Sequence, residues 1–456
     1  MLLGTTSSRT RRPPGPTGLP LVGNVPLLWE DQLVSSVRAM QEHGDFIAMR
    51  FGPFRYYLLY DVDAIKHVLV DNNKNYVKSR NYQGLKLVLG DGLVTSDGEL
   101  WRRQRKLAQP AFLRRRIEAF AAPMAAMSEE LASAWGGLGE GAIIDVHEAM
   151  LKLTLRIVGR TLFDTELGHD ADAIGPRLTT LVHFANDYAT ALVRLPTWLP
   201  LPKNREFRRA LREVDRVVFD IVEARRRSKH DHEDLLGLLM SATDEEGRMS
   251  ERQLRDEVLT LVGAGHETTA NALSWTFYLL SLHPDVDARL EAELDEVLGG
   301  RTPSLDDLPK LAFCERVIKE SLRLYPPAWA FERDALEADT LCGWPIEAGA
   351  TVGVVTYALH RHPGHWDNPE GFDPDRFLPE RSASRHRYAY LPFGGGPRQC
   401  IGMGMALMEA AIVLATLRQR YRLELVPGQR IKLDPSITLR PGTPIRMRLR
   451  GRAPRA

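Results

Sequence analysis

Residues 250–283 read SERQLRDEVLTLVGAGHETTANALSWTFYLLSLH. Ser250 and Gln253 have the spacing of a capping box, in which each side chain bonds the other residue's backbone N–H. No proline interrupts the run until Pro284. This predicts a helix of more than 30 residues, about 50 Å long at ~1.5 Å per residue. Apolar side chains fall on every face of its middle, so the helix is expected to run through the centre of a large core. Gly263 and Gly265 each cost about 1 kcal/mol against alanine in a helix interior. His266, Glu267, Thr268, Thr269 and Asn271 are polar groups that a buried helix must satisfy. Both costs at one place point to a site there.

The chain around this helix has 456 residues, 60 basic and 59 acidic, for a net charge of +1. Apolar residues make up 44% and charged residues 26%. These are globular values, which exclude a disordered, collagen-like or coiled-coil chain. The near-zero charge gives no support to a nucleic-acid binder. At ~150 residues per domain, length alone suggests about three domains. No low-complexity linker or fixed-period repeat supports that division. We expect a Pro-rich lead-in over 1–20 and a single domain over 21–456. Pro13, Pro14, Pro16 and Pro20 make the lead-in stiff and extended. The apolar start, Met1 to Leu3, is too short for a signal segment. No run approaches the ~18 apolar residues of a membrane span. A soluble, cytoplasmic protein is the expectation.

Ile47 to Tyr60, with Gly52-Pro53 in the middle, reads as a hairpin. From Asp63 to about Arg420 the pattern is mostly helical. The last stretch returns to short strands, with turns at Pro427-Gly428 and Pro441-Gly442. The fold class is therefore mainly α, with small β-sheets built from the two ends and the Ile346 to Val355 region.

The three cysteines are Cys314, Cys342 and Cys400. They are too few, and odd in number, for a disulfide framework. None has C-x-x-C spacing, which excludes an ordinary structural zinc site. Cys314 and Cys342 read as small buried hydrophobes. Cys400 is different. Residues 391–409 read LPFGGGPRQCIGMGMALME, a glycine-rich loop opening into a helix. Free N–H groups at the helix mouth, and Arg398 nearby, favour a thiolate. The glycines are expected to let backbone amides approach the sulfur. Such a thiolate serves as a nucleophile or a metal ligand. One cysteine alone suits haem iron better than zinc.

This segment resembles the haem-binding signature of the cytochrome P450 family, the haem-thiolate monooxygenases, at Phe393, Gly396, Arg398, Cys400 and Gly402. Four further stretches resemble family motifs in the family's order. They are Trp101 to Arg105, Ala264 to Thr269, Glu320 to Arg323, and Pro374 to Phe377. The resemblance runs from Pro13 to the end of the chain. It implies the P450 fold and these roles. Cys400 is the proximal ligand of haem iron, with Phe393 beside the sulfur and Gly402 in the same loop. Trp101, Arg105, Arg398 and Arg333 hold the haem propionates. Ala264 and Gly265 border the haem, Gly265 leaving room for oxygen. Glu267 and Thr268 deliver the two protons that oxygen activation needs. His266 faces away from iron, and Arg103 faces solvent. Glu320, Arg323 and Arg376 form a structural cluster supporting the cysteine loop.

The implied cofactors are haem b and O2, with NAD(P)H acting only through redox partners. No reductase domain is expected after the last strands. Electrons are therefore expected from a ferredoxin or flavodoxin with its reductase. The acid-free run Arg102, Arg103, Arg105, Lys106, Arg114, Arg115 and Arg116 would steer such an acidic protein. The implied pocket is lined by Tyr82, Leu85, Leu87, Val88, Phe184, Leu192, Val262, Ala328, Trp329, Ala330 and Ile437. This lining favours a hydrophobic small molecule, whether fatty acid, terpenoid or polyketide-like. A monomeric enzyme that hydroxylates or epoxidises it is expected. The alternatives are a peroxide-driven haem enzyme of the same fold, and a non-haem thiol enzyme or binding protein.

Overall fold

The capping box forms as spelled. Ser250 Oγ accepts from Gln253 N at 3.2 Å, and Gln253 Oε1 accepts from Ser250 N at 2.9 Å. The central helix they start spans Glu251–Leu282. Pro284 ends it and opens the next helix, Pro284–Leu298. The structure is a computed structural model, and it describes residues 13–164, 168–191, 193–227, 234–241, 243–244 and 247–452.

The central helix is buried along most of its length. Several of its hydroxyls are satisfied on the helix itself. Ser274 donates to Ala270 O at 2.6 Å and Thr276 to Ala272 O at 2.7 Å. Its closest neighbour is the helix Val146–Phe163. Around these two lie Gly168–Thr190, Pro202–Arg227, Ala312–Leu324 and Met403–Arg420, sharing one large apolar cluster. Among the described residues, no helix is long and apolar enough to cross a membrane.

A second apolar cluster lies under a five-stranded sheet. Its strand order is Phe46–Phe51, Phe54–Leu59, Thr351–Val354, Phe331–Ala335, Tyr76–Lys78. The first pair is the expected hairpin, turning between Phe51 and Phe54. Thr351–Val354 runs parallel to Phe54–Leu59, and the other pairings are antiparallel. The lead-in docks on the hairpin, with Ala48 N donating to Pro14 O at 2.7 Å. Near the C-terminus, Arg446–Gly451 is the central strand of a second sheet, pairing with Tyr421–Leu425 on one side and Ile143–Asp145 on the other. Leu433–Pro435 pairs with Leu439–Pro441, and the loop between them reaches the central helix.

Between the two clusters sits a buried ionic knot. Glu320 and Arg323 have no exposed surface, and Arg376 is 3% exposed. Three residues apart on Ala312–Leu324, Glu320 and Arg323 pair doubly, at 2.7 and 2.8 Å. Arg376 Nε donates to Glu320 Oε1 at 3.0 Å. The remaining guanidinium donors are spent on carbonyls of His360, Asp367, Asn368, Pro369 and Gly371. His360 carries the knot to the cysteine loop. Its Nδ1 bonds Arg323 O at 3.1 Å, and its Nε2 accepts from Leu391 N at 2.8 Å. Burial, reinforced by Arg323, pushes the His360 pKa down to about 3.

Replacing one partner of such a knot leaves uncompensated buried charge. Glu320→Gln is expected to cost about 3–5 kcal/mol, read as a lowered midpoint in chemical denaturation. An unchanged midpoint would contradict the role assigned to the knot.

Candidate active site

The loop from Leu391 to Gly402 is shaped by three backbone contacts. Gly394 N donates to Leu391 O at 3.1 Å, Gln399 N to Gly396 O at 3.0 Å, and Cys400 N to Phe393 O at 3.0 Å. Gly394 and Gly396 both have left-handed backbone, at φ +66° and +67°. A Cβ on Gly396 would stand 2.0 Å from Leu69 O. The sequence suggested that the loop glycines admit amides to the sulfur. At Gly396 the close partner is instead this carbonyl. The sulfur takes the backbone N–H of Gly402, the N-cap of Met403–Arg420.

Cys400 keeps accessible surface although protein atoms crowd around it. It therefore faces an interior cleft rather than the outside. Burial drives its thiol pKa up, against the Gly402 N–H and the Arg105 charge. The helix mouth acts in the expected direction but does not win alone. A bound metal cation would reverse the balance. Arg105 stands against the same loop, donating to Gln399 O at 3.0 Å.

A cluster of cations lies next to the loop. The Arg398 guanidinium is stacked 4.3 Å above the Trp101 ring, donates to Ser96 O at 3.0 Å and pairs with Asp97. Arg333 is buried and donates to Glu332 O at 2.7 Å, with no carboxylate partner among the described residues. Lys78 lies directly across the strand pair from Arg333, with its Nζ 4.3 Å from the Tyr82 ring. Like charges in cross-strand register destabilise a sheet. Burial, then Arg333 and Arg398, push the Lys78 pKa well down. Burial brings Arg398 down to about 10, with Asp97 opposing. Three cations thus share one carboxylate. Beside them a cleft of about 150 Å³ opens between Asp97, Trp101, Arg333 and Arg398. Sequence reasoning missed Lys78. It carries no motif, and only the strand register brings it to Arg333.

On the central helix Ala264 is accessible between the half-buried Gly263 and Gly265. Thr268 Oγ1 donates to Ala264 O at 2.6 Å. Glu267 Oε1 accepts from Thr438 Oγ1 at 2.5 Å, so the acid and the alcohol are not bonded to each other. His266 is buried, its Nδ1 bonding Val262 O at 3.2 Å and its carbonyl accepting from Thr154 Oγ1 at 2.9 Å. Burial lowers the His266 pKa, with Glu267 opposing. Gly265 departs from expectation. A Cβ there would meet Val158 Cγ2 at 3.1 Å, so glycine serves close packing of the two helices. The small residue open to the interior is Ala264.

These parts close into a ring. Glu267 bonds Thr438, and Leu439 N donates to Pro327 O at 2.9 Å. Ala328 to Ala330 follow and lead into the strand carrying Arg333, whose charge acts on Arg398. Arg398 returns to Cys400. Cys400, Ala264 and Ala328, which this ring links, each keep accessible surface. Arg103 is half-buried and donates to Gly247 O at 3.1 Å, contrary to the solvent-facing expectation. Arg102, Lys106, Arg114 and Arg115 do reach solvent. Arg102 pairs with Glu99 and Arg114 with Glu118. Arg102 and Lys106 line an open hollow of about 340 Å³ together with Trp101 and Arg105.

The expected pocket residues divide. Val88 and Val262 are buried in the helical core, with Leu85, Leu87, Phe184 and Ile437 half-buried against it. Phe184 also stacks on Phe207 at 4.0 Å, which ties its helix to Pro202–Arg227. Trp329 and Ala330 pack on the second cluster, and Trp329 Nε1 donates to Ser436 O at 2.8 Å. Tyr82 sits with the cations rather than in an apolar wall. Leu192 lies outside the described residues.

The donor set fits haem. One interior thiol suits iron, and the cation excess suits two carboxylates. Known proteins agree. The family model described as Cytochrome P450 matches residues 13–446. Cyclooctatin synthase of Streptomyces melanosporofaciens is 39% identical, over 95% of this chain and 94% of that protein. Cyclooctat-9-en-7-ol 5-monooxygenase of the same organism is 37% identical, over 91% and 90%. Pentalenene oxygenase of Streptomyces avermitilis is 34% identical, over 96% and 97%. The crystal structure of the cytochrome P450DA heme domain superposes with a TM-score of 0.86 at 28% identity, covering 97% of this chain and 98% of that one.

The loop glycines are separable by experiment. Gly394→Ala meets no atom within 4 Å and should cost about 1–2 kcal/mol for its backbone alone. Gly396→Ala must also displace Leu69 O and should be much worse. Equal melting temperatures for the two variants would contradict this.

Proposed function

As the chain belongs to the cytochrome P450 family, we propose that this monooxygenase oxidises the ring skeleton of a polycyclic terpenoid. The reading rests on the accessible Cys400 thiol inside a ring that also carries Ala264, Glu267 and the cation cluster. By name, one relative forms cyclooctatin, one oxidises cyclooctat-9-en-7-ol at position 5 and one oxygenates pentalenene. Haem b, bound through Cys400, supplies two-electron activation of O2.

The protein's own residues do the rest. Lys78, Arg333 and Arg398 neutralise the propionates, and Trp101 backs Arg398. Arg105 steadies the cysteine loop through Gln399. Phe393, half-buried on the helical core, packs at the loop's base. Glu267 and Thr268 pass protons into the cleft, and Ala264 leaves space above it. Val88, Val262, Leu87 and Ile437 offer apolar contact, which suits a hydrocarbon that needs no ionic clamp. An acidic ferredoxin or flavodoxin, reduced by NAD(P)H through its reductase, docks on Arg102, Lys106 and Arg115 beside the cysteine loop. We place the working enzyme in the cytoplasm as a monomer, with residues 21–456 acting as one unit.

Carbon monoxide on the reduced protein should give the Soret band of a thiolate-ligated haem. A band at the histidine-haem position would overturn Cys400 ligation. In a spin-state binding screen, polycyclic terpenes should shift the Soret band. A response confined to fatty acids would overturn the substrate class. Arg102→Glu with Lys106→Glu should slow reduction by about tenfold or more at low salt. An unchanged rate would remove the docking site.

A further inference from the structure

We infer that Thr438 is a positioning residue for Glu267, and that Asn271 sets the direction of its hydroxyl. The inference rests on the proton-delivering role proposed for Glu267. Thr438 is 171 residues away in sequence and outside every motif that marked the site.

The geometry fixes which atom carries which proton. Asn271 is fully buried, and its Nδ2 lies 3.1 Å from Thr438 Oγ1. An amide nitrogen only donates. It therefore fills a lone pair of Thr438, and the single hydroxyl proton points to Glu267 Oε1 at 2.5 Å. With the amide reversed, three oxygens would share that one proton. A hydroxyl donating to a carboxylate makes a short, strong bond. Glu267 Oε2 has no partner among the described residues. A proton taken up by the acid thus lands on Oε2, the oxygen not held by Thr438. Thr268 spends its own proton on Ala264 O, so its oxygen remains an acceptor for the next transfer.

Thr438 can hold this position because its loop is pinned on both sides. Trp329 Nε1 donates to Ser436 O at 2.8 Å. Trp275 Nε1 donates to Leu439 O at 3.1 Å, and Leu439 N to Pro327 O at 2.9 Å. The loop that carries the hydroxyl is tied to the central helix, to the strand-leading segment and to its own hairpin. Without it, nothing else among the described residues hydrogen-bonds the Glu267 carboxylate.

The test uses holoenzyme with its redox partners, in the wild type and in Thr438→Val, Thr438→Ser, Glu267→Gln and the Val/Gln double variant. Product formed per electron pair consumed should fall about tenfold in Thr438→Val, the scale of one hydrogen bond to a charged group. Serine should restore it, the Soret-monitored substrate affinity should hold, and valine should have no further effect on Glu267→Gln. Independently of turnover, the melting-temperature losses of Thr438→Val and Glu267→Gln should be non-additive. Wild-type coupling in Thr438→Val, additive melting losses, or a change confined to substrate affinity would each overturn the inference. A wild type without oxygen-dependent turnover would instead sink the proposed function and leave the melting cycle to decide this bond.

Discussion

The buried Glu320 carboxylate organises the half of the molecule that carries the cysteine. It accepts from Arg323, Arg376 and Asp373 N at once. The two arginines then distribute their remaining donors over a chain segment with little regular structure of its own. That segment could not otherwise satisfy its carbonyls away from water. The charge does a second job through His360. A protonated imidazole has no lone pair to offer, so only neutral His360 can accept the Leu391 N–H. Burial and the neighbouring Arg323 keep it neutral. One ionic knot therefore sets both the path of the 360–376 segment and the starting point of the cysteine loop.

The cation cluster shows the reverse economy. Lys78 and Arg333 face each other across a strand pair, an arrangement that weakens the sheet by itself. Arg398 adds to the repulsion, and Asp97 offsets only part of it. The same is true, more mildly, of the central helix, where two glycines and several polar groups interrupt a buried run. In both places local rules of stability are broken near Cys400. The large apolar cluster elsewhere tolerates the cost.

Much of this was legible in the sequence. The capping box, the length of the central helix, the hairpin and the C-terminal strands follow from local chemistry and periodicity. So does the singularity of Cys400, because glycines and a helix start flank it directly. What stayed hidden depends on residues far apart in the chain. Lys78 needs the register with Arg333, and Thr438 needs its hairpin to reach Glu267. His360 reads as one histidine among several until Arg323 and Leu391 are seen on its two nitrogens. Gly265 misled for a related reason. A glycine in a helix announces a close approach but not its direction, and here the neighbour is Val158.

The contact between Gly396 and Leu69 has an uneven genetic consequence. At position 396 the left-handed backbone and the missing Cβ admit only glycine. At position 69 the partner is a main-chain carbonyl, which almost any residue supplies. Substitution is forbidden on one side of this contact and nearly invisible on the other. Related chains compared one by one would show an invariant glycine with no matching change elsewhere, and pairwise covariation would not find the joint where the cysteine loop meets the sheet-bearing half of the protein.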